Sequence, residues 1–151
     1  MTNMHEVVGV WQEYLDSAPG WEELVEGVEP KVGSCGLVYE LPNPIERPNE
    51  SFAIADMRDL ELSDPHKHIN GEVEIYFVMQ GVGKIAVGGE VHELTKGKVI
   101  VTPSDTIHIT LPGDDLVLAV VNTPPFELDN YVSVTNTAPE VASAIGSLRA
   151  K

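Results

Sequence analysis

From about residue 32 to residue 134 the chain is cut into short apolar runs, each only a few residues long and separated from the next by a turn signal. Runs of that length are too short for stable helices, and regular punctuation of this kind is the mark of an all-β sandwich or barrel. Strands are predicted over 36–40, 51–57, 66–69, 73–80, 83–87, 90–94, 98–102, 106–111, 116–122 and 131–134. Gly88-Gly89 and Asn70-Gly71 supply tight turns, and Pro42, Pro44 and Pro48 make 41–50 an irregular loop.

The ends of the chain follow another period. Val7, Val8, Trp11, Tyr14 and Leu15 recur at helical spacing after a cap at Thr2 or Asn3. Pro19-Gly20 stops that helix, and Trp21, Leu24, Val25 and Val28 form a second short stripe before Pro30. Near the other end, Thr137-Ala138-Pro139-Glu140 has the form of a capping box ahead of Val141, Ala144, Ile145 and Leu148. The expected organisation is an N-terminal helical segment over 1–31, a β domain over 32–134 and a short helical tail over 135–151.

Two of the strands, around Ile75-Tyr76-Phe77-Val78-Met79 and Leu116-Val117-Leu118-Ala119-Val120-Val121, are apolar on both faces. A strand with one wet face would alternate. Their outer faces must be covered by the terminal helices or by a second copy, and a homodimer is expected.

Within this frame lies a concentration of metal-ligand residue types: His66-Lys67-His68, Glu72, Glu74 and, much later, His108. Imidazoles and carboxylates bind divalent transition metals, and histidines at i and i+2 share one face of a strand. Glu74, Tyr76 and Val78 share a face beyond the Asn70-Gly71 turn. Glu74 sits deeper in its strand, where an unpaired carboxylate is expensive unless it meets a cation, whereas Glu72 lies beside the turn with water near. That favours Glu74 as the ligand, with Glu72 as its rival. Thr106, His108 and Thr110 point one way from their strand and Ile107 and Ile109 the other, so a polar row faces inward. His5 and His92 stand outside the cluster and are read as uninvolved.

These residues carry a resemblance to the cupin superfamily, small jelly-roll β-barrels with two short metal-binding motifs. The first motif reads His66-Lys67-His68, a spacer, Glu74 and then Gly81; the second runs from Gly97 through Pro103 to His108. The likeness covers about residues 50–127. It departs from the family pattern at Leu60, Asp105 and Pro112, where Gly, Gly and Asn are usual, and in the five-residue spacer between His68 and Glu74. The resemblance implies a cupin barrel with one divalent ion (Fe, Mn, Ni, Co or Zn) held by His66, His68, Glu74 and His108. It also implies a small organic ligand inside. Three histidines and a carboxylate leave coordination positions open, which suits an isomerase or epimerase, a dioxygenase, or a non-catalytic binding or sensing module. Tyr76, on the Glu74 face, is a candidate catalytic acid. An anionic substrate would depend on Arg58, Arg47 or Lys84, since Lys67 alternates away from the ligand face.

Composition narrows the partners. Twenty-four acids against 9 bases give a net charge of −15, which repels nucleic acid and anionic membranes. No apolar run approaches the roughly 20 residues of a membrane span, and Met1–Glu6 lacks the basic start of a signal peptide. The lone Cys35 cannot form an intrachain disulfide, so a cytoplasmic setting is expected.

Overall fold

A computed structural model describes residues 3–150. Helices α1 (Met4–Ser17) and α2 (Trp21–Leu24) lead into β1 (Lys31–Gly33), β2 (Gly36–Leu41), β3 (Ser51–Asp56), β4 (His66–His68) and β5 (Val73–Gln80). Strands β6 (Val82–Val87), β7 (Glu90–Thr95), β8 (Val99–Thr102), β9 (His108–Pro112) and β10 (Val117–Thr123) follow. A short 3-10 turn (Leu128–Asn130), β11 (Tyr131–Ser133) and helix α3 (Pro139–Arg149) complete the chain.

The strands form two antiparallel sheets, one of six in the order β1-β2-β3-β10-β5-β8 and one of five in the order β11-β4-β9-β6-β7. They face each other as a jelly-roll sandwich. The expected barrel is not closed, because no ladder joins the edge strands of one sheet to those of the other among the described residues. The strands on one side, β1, β4 and β11, have three residues each and are too short to carry hydrogen bonding round the gap.

The doubly apolar strands are covered from within the chain. From β5, Ile75 and Phe77 face outward with Val117, Ala119 and Val121 of β10, and α1 and α2 cover them with Val7, Trp11, Trp21 and Val25. Trp11 stacks on Phe52 with ring centroids 5.0 Å apart, and its indole N–H donates to Glu50 Oε1 at 3.3 Å. On the inner side Tyr76, Val78, Leu118 and Val120 meet Ile85 and Leu94 of the second sheet. Helix α3 covers the outer face of that sheet, laying Val141, Ala144 and Leu148 on Ala86 and Ile109. The demand that suggested a second copy is thus met by the terminal helices.

Asn3 caps α1 by accepting from the Glu6 backbone N–H; the alternative cap Thr2 lies outside the described residues. The capping box at α3 does not form. The N-cap is Ala138, with Pro139 in the first turn, and the Thr137 hydroxyl is paired with that of Thr135 instead. Proline's fixed φ starts this helix without a side-chain cap. The turn before β5 has both Asn70 (φ 59°) and Gly71 (φ 79°) in the left-handed region, the conformation an Asn-Gly pair favours.

Candidate metal centre

Strand β4 carries His66 and His68 on the same buried face, with Lys67 between them turned outward to Asp105. His66 pairs across the ladder with His108 of β9, the register's only β4–β9 partner pair. Glu74 comes from β5 in the opposite sheet. The four side chains are buried, and each offers a donor atom within 4.8 Å of the others.

Each imidazole presents Nε2 toward one oxygen, Glu74 Oε1, at 3.1 Å for His108, 3.4 Å for His68 and 3.8 Å for His66. The outer nitrogens are held from behind. His66 Nδ1 is 2.7 Å from the Asp64 carbonyl and His108 Nδ1 is 3.4 Å from the Thr106 carbonyl. A ring whose Nδ1–H is taken by a carbonyl keeps Nε2 bare for a ligand role. His68 Nδ1 is 2.8 Å from Glu72 Oε2, close enough for an ion pair though off the line of a good hydrogen bond. Its Nε2 is buried without a hydrogen-bond partner. A buried unpartnered donor atom is costly, and a cation among these four groups would satisfy it. The donor set therefore fits a divalent transition metal.

Glu72 is not beside water, as its place near the turn suggested, but fully buried. Its carboxylate accepts from Asn130 Nδ2 (3.0 Å) and the Glu127 backbone N–H (3.1 Å) on Oε1, and from Asn122 Nδ2 (2.8 Å) on Oε2. With these donors and His68 behind it, Glu72 backs a histidine, while Glu74 meets all three.

The electrostatics follow from burial and proximity. Burial opposes charge on His68, but Glu72 and Glu74 outweigh it and raise the imidazole to about 9. Burial also opposes ionisation of Glu74, yet the three histidines hold it well below the ordinary carboxylate range. His108 is lowered, chiefly by burial. Tyr76 is pushed well up, first by burial and then by Cys35 and Glu74. Its hydroxyl donates to Glu74 Oε1 and lies 3.2 Å from His108 Nε2. It does not line the cavity beside the cluster, so the geometry gives it the task of holding the carboxylate. Cys35 is raised to about 12 by burial and by the charge of Glu74.

A cavity of about 770 Å³ lies beside the cluster, bordered by both β1 and β11 and so placed at the unclosed side of the sandwich. His66, His68 and Glu74 line it, together with Val38, Ala53, Ala55, Val120, Phe126 and Leu128. The small Ala53 and Ala55 leave volume that bulkier residues would fill. Two polar groups in its wall were not singled out in the sequence. Tyr131 stacks on His66 with centroids 4.6 Å apart, and its hydroxyl donates to Asp64 Oδ2. Their one legible signal was proximity: Asp64 stands two residues before His66, and Tyr131 begins the last predicted strand.

The cations expected to greet an anion lie elsewhere. Arg58 is paired with Asp56 at 2.9 Å and sits over the Trp21 ring. Arg47 is paired with Glu50 and Glu6. Lys84 donates to the Ala150 carbonyl. Among the described residues Lys31 is the only cation lining the cavity, and Glu40 pairs with it at 2.9 Å.

Comparison with known proteins agrees with this geometry. A family model for the cupin domain matches residues 60–121. A curated gentisate 1,2-dioxygenase from Haloferax sp is 38% identical over 72 residues, covering 47% of this chain and only 20% of that protein. A variant of the Streptomyces protein PAC13, solved with uridine, shares the fold at TM-score 0.63 and 14% identity, covering 74% of this chain and 88% of that one. An RmlC-like cupin from Desulfovibrio desulfuricans aligns at TM-score 0.51 and 21% identity, covering 59% and 82% of the two chains. Residues 60–121 thus carry a cupin domain, and the jelly-roll sandwich around them has the fold of cupin proteins.

Proposed function

We propose that this cupin is a mononuclear metal-dependent enzyme acting on a small organic molecule, and that its chemistry is of the dioxygenase type. The observation that carries the proposal is the convergence of three buried imidazoles and one carboxylate at the wall of a largely apolar cavity. Likeness to a gentisate 1,2-dioxygenase supports the reaction type. When bound, a redox-active ion such as Fe(II) supplies open positions for a substrate oxygen and for O₂. His66, His68, Glu74 and His108 would hold it. Asp64, Thr106 and Glu72 orient the three rings, Tyr76 fixes the carboxylate, and the apolar walls keep water from the reacting face.

An isomerase or epimerase needs an acid and a base facing the substrate. The hydroxyl of Tyr76 is already committed behind the cluster, which favours dioxygenation. The competing reading is a binding or sensing module without chemistry, which the pairing of the wall's acid–base groups with one another favours: Asp64 accepts from Tyr131 and Ser133, and Lys31 is paired with Glu40. Oxygen consumption by Fe(II)-loaded protein across a panel of catechols, phenols and sugars separates the two. Uptake that is abolished in His66→Ala with the fold intact supports the enzyme; ligand binding with no uptake and no isomerised product supports the module.

The proposal extends to a homodimer, on the grounds that Val32 and Leu128 stand 88% and 75% exposed beside the unpaired edge of β1. A monomer mass by light scattering at micromolar concentration would refute it. Among the described residues no helix is long and apolar enough to cross a membrane. The free, half-buried thiol of Cys35 suits the reducing cytoplasm we propose as its setting.

A further inference from the structure

The geometry points to Asp64 as the residue that selects the substrate, accepting a hydroxyl proton from a neutral molecule and turning away carboxylate or phosphate groups; this rests on the metal-centre reading above. Asp64 lines the cavity that His66, His68 and Glu74 also line. It is held in place from three sides. Its backbone N–H donates to the Ser34 carbonyl at 3.2 Å, and its own carbonyl receives His66 Nδ1 at 2.7 Å. On the side chain, the Tyr131 hydroxyl and the Ser133 hydroxyl, the latter at 2.9 Å, both donate to Oδ2.

The other oxygen is different. Among the described residues both hydrogen bonds to the Asp64 side chain fall on Oδ2, and none is made to Oδ1. A carboxylate is an acceptor, and one oxygen fixed by two hydroxyls leaves the second oriented and available. The group that completes it must bring a proton, as a hydroxyl or an amine does. A carboxylate or phosphate in the same position would set charge against like charge.

Away from the metal ligands, the described residues of the wall offer no free cation to offset that repulsion. Lys31 is already paired with Glu40. Asn122, whose amide could greet an anion, donates to Glu72. The surface outside adds a net charge of −15, which slows the approach of anions. The apolar remainder of the wall, with Tyr131 stacked on His66 and Phe126 edge-on to His68, suits a compact, ring-sized body.

Two probes separate the chemistry. Catechol and salicylate share a ring and an adjacent pair of oxygen donors, but at neutral pH the first is uncharged and the second is an anion. The wild-type protein is loaded with Co(II), its metal content is measured, and each probe is titrated against the visible spectrum of the cobalt. Asp64→Asn keeps the size of the side chain and removes its charge. It is expected to shift the ratio of catechol to salicylate affinity by about tenfold toward salicylate, with Co(II) content unchanged. Tyr131→Phe, which keeps the carboxylate, should leave the ratio near that of wild type and serves as the test if Asp64→Asn does not fold. An unchanged ratio in Asp64→Asn, a ratio moved by Tyr131→Phe toward salicylate, or a cobalt protein that binds neither probe overturns the assignment. A wild-type protein that takes up no Co(II) fails at the metal measurement, before any probe is added, and strikes the metal reading itself.

Discussion

Loading the centre should expel close to one proton per chain at pH 7. In the metal-free protein His68 faces two carboxylates and is raised to about 9, so at pH 7 its ring carries a proton on both nitrogens. Ligation needs Nε2 bare, and the proton must leave. Two pH units separate 7 from 9, which makes the apparent affinity at pH 7 about 100-fold weaker than at a pH above 9, a cost of about 3 kcal/mol. The affinity should climb roughly tenfold per pH unit between these limits. Isothermal titration of Co(II) or Zn(II) into buffers of different ionisation enthalpy reads the proton count directly. Glu72→Gln removes the buried partner 2.8 Å from His68 Nδ1, so the count at pH 7 should drop and the slope should flatten. In the absence of metal the same ion pairs stabilise the fold. Because the folded value of His68 lies above the unfolded one near 6.5, that stabilisation is complete below pH 6.5 and is lost as pH rises through about 9. Binding at pH 7 without proton release, or a release that Glu72→Gln leaves unchanged, would refute the reasoning.

Removing a ligand by His108→Ala should empty the centre, measured as metal per chain after dialysis, and unchanged content means that the metal binds elsewhere. Trp11→Ala removes a fully buried ring stacked on Phe52 and should lower unfolding free energy by about 3–5 kcal/mol in a urea titration, without altering metal stoichiometry. Asp105 has φ of 67° and donates its backbone N–H to the His68 carbonyl at 2.7 Å. Asp105→Val should therefore cost about 1–2 kcal/mol while Asp105→Gly is nearly neutral, also by urea unfolding. With a charge of −15 the fold should gain from added salt, its melting temperature rising about 2–4 °C for each kcal/mol of repulsion screened.

The strands were legible where turn residues bracketed apolar runs, and the helix over Met4–Ser17 was legible from its stripe. Strand β1 escaped notice because Lys31-Val32-Gly33 is short, exposed and without alternation. The ligand residue types were legible through strand parity, which puts His66 and His68 on one face. What parity could not convey is depth. Glu72 looked wet from its place by the turn, yet Asn122 and Asn130, some fifty to sixty positions away, close over it. Asp64 and Tyr131 escaped for a similar reason. Neither sits in a motif, and only the pairing of β11 with β4 brings Tyr131 beside His68 and its neighbours. Closure of the barrel is not legible from strand count, which does not reveal that three of the strands are too short to continue a ladder.

That unclosed side gives the four-residue cluster a mechanical meaning. Three of its members belong to one sheet and Glu74 belongs to the other, so an ion held by all four acts as a rivet between two leaves that share no ladder there. Metal loading should then resist parting of the leaves, and with it the widening of the cavity mouth.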